Sequence, residues 1–335
     1  MSKILIMGGT QFVSRAVAKY FIQKNHIVDI FTRGNIPVDY DGVNQHIKGD
    51  RKNKDFVKKA LAYKKYDFVI DISAYVAEDT AILIPFLNKS HLNKYVFLSS
   101  GAVYNKPKPF IYPLLFKENS PTKLIPHPTW GNYGLEKKRA ENYIREQSKK
   151  GVIEFVIIRP PYLYGTGNNL LREKFYFSRI KSGQPVLIPA NTNTRIQFIN
   201  IDDLCIFLAE CLTNPKAKNE AYNVAYPQSI SWRVLLDSAM KACGKKVKIY
   251  EISSKLEPNA RLYSPFRDEN MAFDTSKSMK HGFSSPGIDL DTGLNKAYIF
   301  FLNERKNKGF YAFKDPKMTR LDEISTLIKI NKKIK

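Results

Sequence analysis

Apolar and polar positions follow one order through the first half of the chain. A short apolar run at 3–7 precedes a helical pattern at 12–21, and apolar runs recur at 26–34, 66–73 and 94–100. Runs that are apolar throughout are typical of strands buried on both faces of a parallel sheet. Strands that alternate with amphipathic helices predict an α/β fold, a doubly wound parallel sheet.

The same periodicities predict the remaining elements and a change of organisation after Pro160. Further strands are expected at 44–50, 154–160, 185–188, 195–201, 219–225 and 246–252. Helices are expected at 54–64, 78–90, 133–149, 170–182, 202–214, 231–243 and 290–304. We predict a first domain over 1–165, joined again by 195–225. A smaller C-terminal lobe is expected from 166–194 and 226–320, and a basic tail from 321–335.

Composition narrows the class of protein. No apolar run approaches the ~20 residues of a membrane span, and the three cysteines, at 205, 211 and 243, lack metal-ligand spacing. We therefore expect a reducing, cytoplasmic location and no metal. The net charge of +23 favours polyanionic partners, either nucleic acid or phosphorylated small molecules. A generally lysine-rich composition would produce the same charge without any such partner.

A glycine pair marks the first candidate site. Gly8 and Gly9 stand between the first predicted strand and the first helix. Glycine permits a tight turn there, and the following helix offers free N–H groups and its positive dipole end to a pyrophosphate. Any strand-to-helix turn can use glycine, but a position at the start of a βαβ pattern favours dinucleotide binding.

A tyrosine and a lysine form the second candidate site. Tyr133 and Lys137 are four residues apart in a predicted helix, so they share one helix face. A tyrosine has a reference pKa of about 10 and is a poor base at neutral pH. A nearby ammonium group stabilises the phenolate and lowers that pKa. The pair can then exchange a proton with a substrate hydroxyl while hydride moves to or from a cofactor. The same spacing also occurs by chance in surface helices.

Four segments in the correct order resemble the NAD-dependent epimerase/dehydratase family, the extended short-chain dehydrogenases/reductases. They are MGGTQFVSR at 7–15, SSGAVY at 99–104, YGLEK at 133–137 and RPPYLYGTG at 159–167. Gln11 and Ser14 replace the second and third glycines of the family fingerprint. This variant is similar to a subgroup containing the chloroplast stem-loop-binding proteins and their bacterial relatives.

The resemblance implies a Rossmann-type cofactor domain, a substrate-binding lobe and a set of site residues. The implied catalytic residues are Ser100, Tyr133 and Lys137. The implied contacts to NAD or NADP are Gly8, Thr10, Gln11, Phe12, Val13, Arg33, Asp50, Arg51, Ile72, Ser73, Ala74, Ser99, Tyr133, Lys137, Pro160 and Tyr162. The implied substrate contacts are Tyr104, Asn168, Asn169, Arg195 and Arg267, with His127 and Trp130 shaping the pocket.

Two of the implied arginines have alternative interpretations. Arg33 follows the second strand, at the position where NAD-selective members carry an acidic residue. It either binds the 2′-phosphate of NADP or is a surface arginine that closes a turn. Arg195 lies one residue from the position at which relatives bind a nucleotide-sugar phosphate, and a salt bridge would equally explain it.

The leading functional hypothesis is an NAD(P)-dependent epimerase or reductase acting on a nucleotide sugar or a related hydroxyl or keto compound. Dehydratases of the family place Asp-Glu after the catalytic serine, whereas Gly101 and Ala102 stand here, which disfavours 4,6-dehydration. The alternative is an RNA-binding protein on a retained dinucleotide fold, although no RNA-recognition motif is present. A third hypothesis is a cofactor-sensing protein with an inactive site. The intact Ser100, Tyr133 and Lys137 argue against it. Members of the family often form homodimers through helices that include the Tyr–Lys helix.

Overall fold

A computed structural model describes residues 1–105, 115–126, 131–170, 172–191, 193–305, 320, 321 and 324. Its centre is a seven-stranded parallel sheet in the order β10-β6-β5-β4-β1-β2-β3. The strands of this sheet are β1 (Lys3–Met7), β2 (Ile27–Thr32), β3 (Val43–Lys48), β4 (Phe68–Asp71), β5 (Lys94–Leu98), β6 (Phe155–Arg159) and β10 (Glu220–Asn223). The predicted fold class is confirmed.

Helices cover both faces of this sheet. They are α1 (Phe12–Gln23), α2 (Lys54–Leu61), α3 (Ala77–Leu83), α4 (Tyr133–Lys149) and α6 (Ile201–Thr213). In β1, Ile4 and Ile6 pack on the side that holds α1 and α6, whereas Leu5 and Met7 pack on the side that holds α2, α3 and α4. Alternating directions along a strand buried on both faces explain the continuous apolar run of the sequence.

A further hydrophobic core lies mainly among residues after Pro160. Its elements are β8 (Val186–Pro189) paired with β11 (Ile249–Ile252), β7 (Tyr162–Tyr164) paired with β9 (Phe198–Asn200), α5 (Glu173–Lys181), α7 (Trp232–Cys243) and α9 (Leu290–Arg305). Aromatic side chains such as Phe177, Trp232 and Phe301 fill this core. The short helix α8 (Ser276–Lys280) lies beside β10 of the main sheet. The domain boundaries stay a prediction. The segment 195–225 was expected to rejoin the first domain, and its strand β10 does lie beside β6 in the main sheet.

Two differences from the predicted elements have clear causes. The helix expected at 78–90 ends at Leu83 and continues only as a 3₁₀ turn, Ile84–Phe86. Pro85 lies in that turn, and proline cannot donate the backbone hydrogen bond that continues an α-helix. The strand β7 and the five-residue α8 were not expected, because elements of three to five residues show too little periodicity. No helix within the described residues combines the length and apolar character needed to span a membrane.

Candidate active site

The strand order creates a crevice at the carboxyl ends of the central strands. Because β1 lies between β2 and β4, the connections after β1 and β4 leave in opposite directions, and ligands of open α/β sheets bind at such a switch point. The predicted cofactor residues follow these strands in sequence: 8–13 after β1, 33 after β2, 72–74 after β4, 99–100 after β5 and 160–162 after β6. The topology therefore brings the separate motifs to one edge of the sheet.

The turn after β1 requires its glycines. Gly8 and Gly9 have φ angles of +119° and +136°, a region that other residues rarely adopt. A Cβ on Gly8 would lie 2.6 Å from Cβ of Ser14, and a Cβ on Gly9 would lie 2.8 Å from Cγ2 of Ile30. Phe12 has a φ of +26°, so this turn also holds a strained non-glycine residue.

The start of α1 fits the phosphates of a dinucleotide. No side chain caps this helix end, and its first turn holds no acidic residue, so its N–H groups and dipole are available to an anion. The Ser14 hydroxyl donates a hydrogen bond to the carbonyl oxygen of Gln11, at 3.0 Å. Thr10, Gln11 and Val13 surround this helix end, as expected for residues lining the pyrophosphate.

The end of β2 presents a free cation. Arg33 is exposed, and it has no ion pair or hydrogen bond with any described residue. The backbone before it is held by Thr32, whose hydroxyl accepts a hydrogen bond from the N–H of Gly34 at 3.0 Å. Asp50, after β3, is also exposed and accepts a hydrogen bond from the N–H of Lys52. Contact of Arg33 and Asp50 with the cofactor stays a prediction.

Arg51 holds a buried ion pair beneath the crevice. Its guanidinium donates two hydrogen bonds, of 2.7 and 2.8 Å, to the carboxylate of Asp71 at the end of β4. It also donates to the hydroxyl of Ser73 at 2.8 Å. Although burial alone would raise the pKa of Asp71, the Arg51 charge holds that pKa below its usual value. Arg51 therefore braces the segment 71–74, which includes Ile72 and Ala74, and direct contact with adenine stays a prediction.

Tyr133 and Ser100 meet at the crevice. Tyr133 is the first residue of α4, and the Ser100 side chain lies close enough to its phenol to lower its pKa. Burial raises the pKa of Tyr133, while Ser100 and the charge of Arg172 lower it. Tyr133 is 41% exposed, so solvent weakens each of these effects. The ring of Tyr75 lies beside that of Tyr133, with centroids 6.4 Å apart.

Lys137 lies one helical turn further along α4 and is 3% exposed. Its ammonium group donates a hydrogen bond to the carbonyl oxygen of Leu98, at 2.7 Å, and lies 4.8 Å from the ring centroid of Phe97. Burial lowers the pKa of Lys137 to about 8, although the carboxylate of Asp71 opposes the shift. Ser100, Tyr133 and Lys137 therefore converge at the ends of β4 and β5.

A buried ion pair supports α4 behind these residues. Arg159, at the end of β6, donates hydrogen bonds of 2.9 and 2.6 Å to the carboxylate of Glu141. The hydroxyl of Ser99 donates to the same carboxylate at 2.6 Å. Tyr104 is fully buried, donates to the side-chain oxygen of Asn223 and accepts a hydrogen bond from Arg159. Both hydroxyls are therefore used inside the protein, while contacts of Ser99 with cofactor and of Tyr104 with substrate stay predictions.

The other predicted substrate residues divide into buried and accessible ones. Asn168 is fully buried and donates to both carboxylate oxygens of Glu173 at 2.9 Å, and its contact with substrate stays a prediction. Asn169 is exposed, and Arg195 donates to the carbonyl oxygen of Thr194; their contacts stay predictions.

Pro160 and Tyr162 follow β6 and are both buried. The carbonyl oxygen of Pro160 accepts a hydrogen bond from the N–H of Gly101 at 2.8 Å. Arg267 acts electrostatically on Tyr162, and burial lowers the pKa of Arg267 to about 9. His127 and Trp130 lie outside the described residues.

The structure adds residues that the motifs did not indicate. Asp71 could have been found, because it ends an otherwise apolar strand, FVID. Glu141 also carried a signal, since it stands four residues after Lys137 on the same helix face. Tyr75 and Arg172 carried none, because each lies outside the motifs and reaches the site only through the tertiary fold.

The doubly wound sheet, the glycine turn and the Tyr–Lys–Ser group define a dinucleotide-binding enzyme of the short-chain dehydrogenase/reductase type. The family model for the NAD dependent epimerase/dehydratase family matches residues 4–225. The chain belongs to that family, and it is an enzyme whose cofactor is NAD or NADP. The predicted family, enzyme class and cofactor are confirmed.

Individual relatives agree with this assignment. The chain is 30% identical over 319 residues to the chloroplast stem-loop binding protein of 41 kDa b of Arabidopsis thaliana, covering 88% of this chain and 78% of the relative. It is 24% identical to the N-acetyl-alpha-D-glucosaminyl-diphospho-ditrans,octacis-undecaprenol 4-epimerase of Escherichia coli O157:H7, covering 89% and 94%. The UDP-glucose 4-epimerase of Thermotoga maritima, solved with UDP-glucose, has the same fold. Its TM-score is 0.74 at 16% identity, covering 90% of this chain and 99% of that one.

Proposed function

We propose that this protein is an NAD(P)-dependent epimerase or reductase that acts on a nucleotide sugar or a related hydroxyl or keto compound. The observation that carries the proposal is that Tyr133 begins α4 beside Ser100, with Lys137 one helical turn away. A relative named UDP-glucose 4-epimerase supports a nucleotide sugar as substrate, and the Escherichia coli relative, whose named substrate is a sugar on undecaprenyl diphosphate, supports epimerisation. A relative named 2'-dehydrokanamycin reductase supports reduction as the other outcome.

Each residue of the group has one task in this chemistry. A bound NAD or NADP would supply hydride transfer to and from the reacting carbon. As hydride leaves the carbon, the Tyr133 phenolate accepts the proton of the substrate hydroxyl; in the reverse step it returns that proton to the oxygen. Ser100 donates a hydrogen bond to the same oxygen. The Lys137 cation stabilises the phenolate and binds the ribose hydroxyls.

The surroundings of Ser100 favour epimerisation or reduction over 4,6-dehydration. Family dehydratases place an acidic residue directly after this serine, where Gly101 stands here. A Cβ on Gly101 would lie 2.0 Å from Cζ of Phe273 and 3.2 Å from the sulfur of Met271. An aspartate therefore has no room at this position unless Phe273 moves.

Replacing Tyr133 with phenylalanine tests the proposal. We expect turnover to fall by roughly two to four orders of magnitude, the usual contribution of a general acid–base group, with an unchanged melting temperature. The measurement is interconversion of UDP-glucose and UDP-galactose, and of their N-acetylated forms, after mass spectrometry has identified the co-purified cofactor. Tyr143→Phe, on the same helix, is the matched control. Unchanged turnover in Tyr133→Phe would exclude this residue as the acid–base group.

Nucleic-acid binding is the second candidate function. The name of the Arabidopsis relative and the net charge of +23 support it. Binding through phosphate contacts alone weakens by orders of magnitude between roughly 50 and 200 mM salt, and we expect this behaviour here. Salt-resistant binding that prefers a stem-loop over a scrambled duplex, and survives Tyr133→Phe, would favour the second function. The predicted homodimer and cytoplasmic location stay predictions.

A further inference from the structure

Arg172 presents an unneutralised cation to the substrate side of the crevice. It directly precedes α5, and its guanidinium carbon lies 5.2 Å from the ring centroid of Tyr162 and 5.9 Å from that of Phe266. Its polar contact is a long hydrogen bond, 3.4 Å, to the carbonyl oxygen of Leu163. No carboxylate among the described residues forms an ion pair with it. Two aromatic faces hold the guanidinium flat and leave its N–H groups underused.

The hydroxyl of Tyr162 is also unsatisfied. Tyr162 is 7% exposed, and its hydroxyl oxygen has no hydrogen-bond partner among the described residues. A buried hydroxyl without a partner costs free energy, so such groups are rare unless a ligand or an ordered water completes them. Burial raises the pKa of Tyr162 to about 12, so at neutral pH this hydroxyl remains a hydrogen-bond donor.

Further charged side chains influence these two groups. Arg261 and Arg267 lower the pKa of Tyr162, and Glu269 raises it. Glu173, next to Arg172, is buried and bonded to Asn168, and burial raises its pKa. A ligand group that meets Arg172 and the Tyr162 hydroxyl therefore meets a cation and a neutral hydrogen-bond donor, a combination that favours an anion.

The location of Arg172 relates this anion to the acid–base group. The charge of Arg172 lowers the pKa of the Tyr133 phenol, and Arg172 packs on Tyr162, which follows β6 at the same edge of the sheet. A group bound by Arg172 therefore belongs to a substrate that also reaches Tyr133.

We infer that Arg172 and Tyr162 form a subsite for an anionic substituent, a carboxylate or a phosphate, on the sugar or hydroxy compound that reacts at Tyr133. The inference rests on the proposed function for the role of Tyr133 and adds the substrate class: a sugar or hydroxy compound that carries its own negative charge. Arg172 and the Tyr162 hydroxyl donate hydrogen bonds to that charge, so they select the substrate and take no part in proton transfer.

Equilibrium binding to the NAD-saturated full-length protein tests the inference without requiring turnover. UDP-glucuronate and UDP-glucose differ only at C6, which is a carboxylate in the first and a hydroxymethyl group in the second. We expect the glucuronate to bind roughly tenfold to a hundredfold more tightly, the range for one or two charge-assisted hydrogen bonds. Glucose 6-phosphate against glucose forms the second arm. A preference confined to that arm identifies phosphate as the anion.

Three variants test whether a preference for the anionic ligand arises from Arg172 and Tyr162. Arg172→Gln should abolish it by weakening only the anionic ligand, and Arg172→Lys should restore part of it. Tyr162→Phe should weaken the anionic ligand with an unchanged or higher melting temperature, because the lost hydroxyl had no protein partner. Arg233→Gln, an exposed arginine on α7, is the matched control and should leave the ratio unchanged.

Two results would overturn the inference: no preference for the charged ligand in either arm, or equal weakening of charged and neutral ligands by Arg172→Gln. The second result would mean that Arg172 contacts a group common to both ligands or only supports the fold. An intact affinity ratio in a protein that turns over no sugar would instead contradict the proposed function and leave the subsite in place.

Discussion

The ion pair between Glu141 and Arg159 is buried, and the chain also contains an exposed ion pair of the same length. Comparing the two shows whether burial or distance determines how much an ion pair stabilises the fold. Glu141 is fully buried and Arg159 is 2% exposed, and their closest atoms are 2.6 Å apart. Removing one partner of a buried pair costs about 3–5 kcal/mol, because the remaining charge has no compensation. Glu141→Gln keeps the shape and one acceptor, so we expect the lower part of that range.

The expected change in melting temperature follows from the size of the chain. An unfolding entropy of about 2.1 cal/mol/K per residue amounts to ~0.7 kcal/mol/K for this chain. A loss of about 3 kcal/mol then lowers the melting temperature by about 4 °C, which calorimetry resolves.

Glu146→Gln is the control. Glu146 and Lys150 lie on the same helix, also 2.6 Å apart, but both side chains are more than half exposed. We expect no resolvable shift from this variant, since solvent screens such a pair. Equal shifts in Glu141→Gln and Glu146→Gln would refute the reasoning that burial determines the contribution of the pair.

Two further predictions concern the cofactor and the titration of the site. Arg33→Ala should weaken NADP by about tenfold or more and NAD far less, because a charge-assisted hydrogen bond to the 2′-phosphate is lost; equal losses in a fluorescence titration would show that Arg33 only closes the turn. The pKa of Lys137 is about 8 in the folded protein and about 10.4 for an ordinary lysine. Between these two pH values, the free energy of unfolding of the wild type should rise relative to that of Lys137→Met, as measured by denaturant titration. The unfolded chain binds more protons in that interval, and a difference that stays constant with pH would show that the pKa of Lys137 is not lowered.

The sequence predicted elements well where a single physical signal was strong. The continuous apolar runs became β1, β4 and β5, and the helix expected at 133–149 has those bounds in the structure. The prediction of a helix reaching residue 90 was wrong because it followed the helical periodicity and ignored Pro85.

Motifs located the site but did not determine the directions of its side chains. Tyr104 and Asn168 lie on the expected segments, yet Asn223 and Glu173 draw their polar atoms into the interior. Those partners are distant in sequence or lie on another element, so position within a motif carried no information about them. Arg172 shows the converse, since no motif includes it and only the tertiary structure places its guanidinium over the rings of Tyr162 and Phe266.

The hydrogen bond from Tyr104 to Asn223 also bears on the order in which the chain folds. It joins residues 119 positions apart, and Asn223 belongs to β10, the strand beside β6. During synthesis, the strands that carry Ser100 and Arg159 leave the ribosome well before β10. Until residue 223 emerges, Tyr104 lacks its acceptor and the edge of β6 is open to other chains. A chain cut at residue 165 would keep every catalytic residue and still expose that edge, so the catalytic half is not expected to be a stable fragment on its own.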